Sequence, residues 1–179
     1  MKQDQLLEDL TKKVNECLAV TLSFKNLSTE GLNYSHKGAW NILQCLDHCN
    51  RYWEFYREVF NAPLKEGQHF NQAIDFNAGF WGEKFTKMML PNKGKVIKMK
   101  SFKSKNPTSE EAKPESINKF IRQQEELLII LKKAEGLNLN QNKCKLTIPL
   151  VKMNYGSTLQ FIIFHNMRHL AQAKKLVKD

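Results

Sequence analysis

The stretch STLQFIIFHNMRHLAQAKKLV, residues 157–177, decides the fold class. Leu159, Ile162, Ile163, Asn166, Leu170 and Ala173 recur at three- and four-residue steps, so one face of a helix is apolar. Ser157 with Gln160 three residues on reads as a capping box and sets the expected start. Lys174, Lys175 and Lys178 fall near the expected end, where a helix dipole favours cations. Two histidines, His165 and His169, sit one turn apart on this helix. Side chains at that spacing share a face, with Cβ atoms about 5–6 Å apart, so both imidazoles can reach one metal ion.

Three further stretches carry the same periodicity. Residues 3–26 place Leu7, Leu10, Val14, Cys17, Leu18 and Thr21 on one stripe. A second helix is expected from Asn41 to about Phe60, with Asn41 and Gln44 as a capping box and Trp40 stapled onto Cys45. Pro63 limits its extension. The third follows Pro114 and ends at Gly136, its stripe formed by Ile117, Phe120, Ile121, Gln124, Leu128 and Leu131. Residues 61–113 are too many for a structureless loop. A short helix around Phe80, Trp81, Phe85, Met88 and Met89 and an extended segment over 96–103 are expected there. The sum is an all-α chain: one domain over 1–179, a four-helix bundle with a long crossover connection between its second and third long helices.

Composition narrows the classes. The chain has 179 residues, is 41% hydrophobic and 26% charged, and so has the makeup of a chain with a packed core. No apolar run approaches the ~20 residues of a membrane span, and the first residues lack the apolar stretch of an export signal. The expected location is cytoplasmic, where Cys17, Cys45, Cys49 and Cys144 would be reduced thiols. The net charge of +10 comes from 28 Lys and Arg against 18 Asp and Glu. From Lys84 to Lys105 there are eight lysines and no acid. That run reads as a solvated basic face outside the four stripes. Its stronger readings are a polyanion-binding module or electrostatic steering of an anionic substrate, but it contains no arginine for bidentate readout.

His48 lies mid-helix beside Cys45, Leu46 and Cys49. A bundle builds metal sites from inward side chains of facing helices, so His48 is the natural third ligand to His165 and His169. Three imidazoles leave a coordination position for water or substrate, the pattern of a catalytic rather than a structural site. Asn166, Arg168 and Gln172 on the last helix, and Gln124 on the third, are candidates to orient the ligands, against the reading of a solvated face or a satisfied buried amide. Cys45 and Cys49 read either as thiolate ligands or redox thiols, or as small buried hydrophobes. Asp47 is expected to be exposed and paired with Arg51. His36 and His69 read as surface residues.

Trp40-Asn-Ile-Leu-Gln-Cys-Leu-Asp-His48 and Thr158-Leu-Gln-Phe-Ile-Ile-Phe-His165-Asn-Met-Arg-His169-Leu-Ala-Gln172 resemble the second-helix and last-helix signatures of the DinB/YfiT-like superfamily. Lys87-Met-Met-Leu-Pro91, Lys98-Met-Lys-Ser101 and Arg122-Gln-Gln-Glu-Glu-Leu127 are similar to its intervening segments. The resemblance runs from Trp40 through most of the chain. It implies a four-helix bundle holding zinc or nickel through His48, His165 and His169. Family members with known activity include thiol S-transferases that use bacillithiol or mycothiol, and a thiol-dependent isomerase. The expected function is therefore a metal-dependent enzyme that activates a bound thiol or water, in thiol transfer or hydrolase-like chemistry. The alternatives are a non-enzymatic metal-holding or interaction protein and, behind it, a polyanion or nucleic-acid binder. The expected partners are a small-molecule substrate, among them a low-molecular-weight thiol, and a second copy of the chain in a homodimer, with no membrane.

Overall fold

Long amphipathic stretches bury their stripes against one another, and the chain does so with four long helices. The computed structural model describes residues 1–36, 38–65, 74–89, 105–107 and 112–177. Helix α1 spans Gln3–Phe24, α2 Thr29–Asn33, α3 Ile42–Lys65, α4 Gly79–Met89, α5 Glu115–Ala134 and α6 Tyr155–Lys174. The strands β1, Cys144–Lys145, and β2, Lys152–Met153, pair antiparallel between α5 and α6, with Cys144 opposite Met153. Helices α5 and α6 each pack against both α1 and α3, and α4 lies along α6. This is the expected all-α bundle. The basic crossover leaves α3 and returns as α5, and the extended segment expected over 96–103 lies outside the described residues.

Helix starts follow local hydrogen bonding. Asn41 Oδ1 accepts from Gln44 N at 2.7 Å while Asn41 N donates to Gln44 Oε1 at 3.0 Å, the reciprocal box that the spacing predicts. Helix α6 starts earlier than expected. Asn154 is its cap, accepting from Ser157 N at 2.8 Å, while the Ser157 hydroxyl donates to Ala78 O at 2.8 Å and so ties α6 to the start of α4. Gln160 does not reach back to a cap; its buried Oε1 has no partner. At the other end of α3, Pro63 is accommodated inside the final turn and the helix runs on to Lys65. A proline there forfeits one hydrogen bond near an end that frays anyway. Helix α2 and the β1–β2 hairpin, five and two residues per element, are too short to leave a periodic signal.

The core divides in two. One apolar cluster gathers Leu6 to Val14 of α1, Tyr52 to Phe60 of α3, Leu127 to Ala134 of α5 and Tyr155 to Phe164 of α6. The other gathers Cys17 and Phe24, Ile42 to Cys49, Ile117 and Phe120, and Leu170 to Leu176. At the level where α3, α5 and α6 pass from one cluster to the other, buried polar side chains appear: His48 and Asn50 on α3, Gln123 and Gln124 on α5, His165 and Asn166 on α6. Hydrogen bonds cross the seam there, from Asn50 Nδ2 to Ser116 O at 3.1 Å and from Asn166 Nδ2 to Gln124 Oε1 at 3.4 Å. Asn50 Oδ1, Gln123 Oε1 and Asn166 Oδ1 nevertheless lack partners. A buried polar group without a hydrogen bond costs about 1–3 kcal/mol, so the bundle carries this layer at the expense of stability.

Candidate metal centre

His48 comes to the centre from α3, and His165 and His169 from successive turns of α6. One ring nitrogen from each can be chosen so that all lie within 4.8 Å of one another. The closest pair is His48 Nε2 and His165 Nε2 at 3.2 Å. Two nitrogens bonded to one tetrahedral zinc at ~2.05 Å would lie about 3.3 Å apart, so this pair already has the spacing of a shared ion. His48 and His165 are buried and His169 keeps an edge toward solvent.

Burial fixes the protonation state. It pushes His48 down to about 4 and His169 down to about 3 from the usual 6.5. His165 is driven well below 6.5, by burial first and then by His169 and His48. Three imidazoles in a low-dielectric seam are thus neutral at physiological pH, each with a lone pair to offer.

The tautomer of His48 follows from its partner. His48 Nδ1 lies 2.7 Å from the carbonyl oxygen of Lys105. A carbonyl can only accept, so Nδ1 carries the proton and Nε2 is the bare nitrogen facing His165. The Nδ1 atoms of His165 and His169 are without hydrogen-bond partners. Hydrogen bonding within the protein thus leaves the three rings under-satisfied, and three neutral imidazoles are a donor set that fits a divalent metal ion. No cysteine or carboxylate joins the group among the described residues.

Aromatic rings wall the cluster. Trp40 packs on His48 at 4.7 Å and on His169 at 5.7 Å between centroids, so it does more than staple the start of α3. Tyr52 lies 4.5 Å from His165 and 4.9 Å from His48, and Phe161 6.3 Å from His165. The Tyr52 hydroxyl is associated with Thr147 in the β1–β2 turn, which also bonds the Tyr56 hydroxyl. Tyr52 stands four residues after His48 and Phe161 four before His165; that same-face spacing was the signal that could have found them. The Lys105 carbonyl had none, because a backbone acceptor is common to every residue type.

The other candidates separate into those near the cluster and those elsewhere. Gln172 lies close enough to His169 to favour its protonated form, although no well-formed hydrogen bond reaches Nδ1. Asn166 and Gln124 bond each other rather than a ligand nitrogen. Arg168 donates from Nη1 to Met88 O at 3.0 Å, tying α6 to the end of α4, and its charge further disfavours protonation of His165 and His169. Asp47 pairs with Arg51 at 2.6 Å, as their spacing predicts, although both are partly buried rather than exposed. Cys45 and Cys49 are buried in the apolar cluster; burial pushes the Cys45 thiol up to about 12 and Cys49 well above 9.0, which makes them hydrophobes rather than thiolates. His36 is exposed against Tyr34, and His69 lies outside the described residues. Lys105 departs from the expected solvated basic face: it is partly buried and its Nζ donates to Arg51 O at 2.6 Å.

No helix among the described residues is long and apolar enough to cross a membrane. Neither a curated protein nor a solved structure matches the chain. Residues 15–173 do match the family profile of the DinB superfamily. That span takes in all three histidines, the bundle seam in which they meet, the whole of α3 and α5 and nearly all of α6, and the chain belongs to the DinB superfamily.

Proposed function

We propose that the chain is a metal-dependent enzyme whose His48, His165 and His169 hold a divalent ion, zinc or nickel, for chemistry on a bound thiol or water. The observation that carries this reading is the meeting of three neutral imidazole nitrogens within 4.8 Å in the interior of the bundle. When bound, a divalent ion lowers the pKa of a coordinated thiol or water, making a nucleophile for thiol transfer or hydrolysis near neutral pH. The chain's own residues do the rest. His48, His165 and His169 present lone pairs without adding negative charge. The Lys105 carbonyl holds the His48 proton on Nδ1 and keeps Nε2 bare. Trp40, Tyr52 and Phe161 shield the nitrogens from bulk water on the apolar side. The partly exposed edge of His169 leaves a side from which a small substrate can approach. Three protein donors leave a four-coordinate ion one position for that substrate.

Thermal melting with zinc or nickel tests the site. At a free concentration one hundred times Kd, an ion that binds only the folded state adds about 2.7 kcal/mol, or roughly 5–11 °C for a chain of this size. The gain should vanish in His48→Ala and His169→Ala. A further shift on adding a low-molecular-weight thiol to the metal-loaded protein identifies the thiol as the ligand; no further shift favours water. Equal melting temperatures for wild type with metal, wild type with chelator and both variants would refute the site.

A further inference from the structure

We infer that Lys105 is a positioning residue for the metal centre: it clamps the long basic connection onto α3, fixing the His48 ring through its backbone and itself through its side chain. The inference rests on the three-histidine reading above and adds a residue to it from outside the four long helices.

Two bonds make the clamp. The carbonyl oxygen of Lys105 accepts from His48 Nδ1 at 2.7 Å, and the Nζ of the same residue donates to the carbonyl of Arg51 at 2.6 Å. Arg51 is three residues beyond His48, so the two ends of one lysine grip α3 about one turn apart. The side-chain bond is charge-assisted and partly buried, which strengthens it relative to a solvated contact. Asn106 precedes Pro107, which biases its backbone to an extended form, and Pro107 is buried. The short segment therefore has a stiff, anchored end, and the carbonyl is held in place against α3.

The consequence for His48 is specific. A neutral imidazole has two tautomers and can rotate about its bond to Cβ. With Nδ1–H committed to Lys105 O, the bare Nε2 is aimed at His165 Nε2, 3.2 Å away, before any ion arrives. Partners of this kind raise ligand basicity and set ring orientation, and losing them typically costs 10–100-fold in metal affinity. The coupling is reciprocal: what steadies the ring for metal must be steadied by metal. An ion on Nε2 makes Nδ1–H a better donor, so metal should hold residues 105–107 more firmly against α3. Among the described lysines of that run, Lys84, Lys87 and Lys105, the clamp belongs to Lys105. Lys84, by contrast, lies over the rings of Phe80 and Trp81 on the surface of α4, 5.9 and 5.2 Å from their centroids.

The test is a zinc-affinity titration against a competing chelator on full-length wild type, Lys105→Met, Lys105→Arg, Lys84→Met and His169→Ala, with helix content checked by circular dichroism. Methionine keeps the aliphatic stem and removes the donor; arginine restores a donor. Lys105→Met should weaken zinc binding 10–100-fold, Lys105→Arg should recover most of it, and Lys84→Met should match wild type. Hydrogen exchange supplies a second readout that does not depend on activity: zinc should slow exchange of the Lys105 and Asn106 amides in wild type and fail to do so in Lys105→Met. Wild-type affinity in Lys105→Met, equal losses in Met and Arg variants, or zinc-independent exchange at residues 105–106 would overturn the clamp while leaving the three-histidine site in place. Absence of zinc binding by wild type would overturn both.

Discussion

Acid should destabilise the metal-free protein steeply, and the size of the effect follows from the buried histidines. In the folded state His48 and His169 are pushed down to about 4 and about 3, and His165 well below 6.5. In the unfolded chain each titrates near 6.5. A folded value below the unfolded one means that the unfolded state binds more protons. Stability is therefore unaffected by these groups above pH 6.5 and falls as pH drops from 6.5 toward the folded-state values. At pH 5.5 each unfolded imidazole is about nine-tenths protonated while its buried counterpart stays neutral, a loss of about 1.4 kcal/mol per group. Three groups give an upper bound near ~4 kcal/mol, and the exposed edge of His169 trims its share, so a drop of about 2–4 kcal/mol is expected. That is a large part of the total stability of an ordinary domain. The assay is urea unfolding in chelator at pH 7.5 and pH 5.5, for wild type and His165→Gln. The variant removes one titrating group and should lose about 1.4 kcal/mol of the pH dependence. A wild-type drop below about 1 kcal/mol, or an equal drop in His165→Gln, would refute the claim that the seam holds these imidazoles neutral.

Trp40→Ala should cost about 1–3 kcal/mol, less than a fully buried aromatic because Trp40 is only partly buried, and should also weaken metal affinity, because the indole lies on both His48 and His169; urea unfolding and a zinc titration read the two effects. Asn154→Ala removes both the cap of α6 and the bond from Asn154 Nδ2 to Asn77 O at 2.7 Å, so a loss of about 1–3 kcal/mol in urea is expected, and a change within 0.5 kcal/mol would show that α6 does not depend on that cap.

What short-range periodicity encodes was legible in the order of residues alone. The four apolar stripes are local repeats of 3.6 residues, and each became a long helix. The His165–His169 pair is likewise a local fact, because helical spacing alone puts residues four apart on one face. Boundaries were less legible where two cap-forming residues compete. Asn154 and Ser157 can both start a helix, and the choice fell to Asn154 because the Ser157 hydroxyl is taken by Ala78, a contact with α4 across 79 residues of sequence. The hairpin of two-residue strands escaped because a period of two needs more than one repeat to be seen. Only the tertiary structure brought His48, 117 residues away, within 3.2 Å of His165, since that meeting depends on how α3 and α6 pack rather than on either helix. It alone decided that Cys45 and Cys49 sink into the apolar cluster while His48, on the same helix, faces the seam. And it alone gave Lys105 a role apart from the other lysines of its run, because the group that orients His48 is a backbone carbonyl, which side-chain identity does not announce and only the folded path of the chain can place.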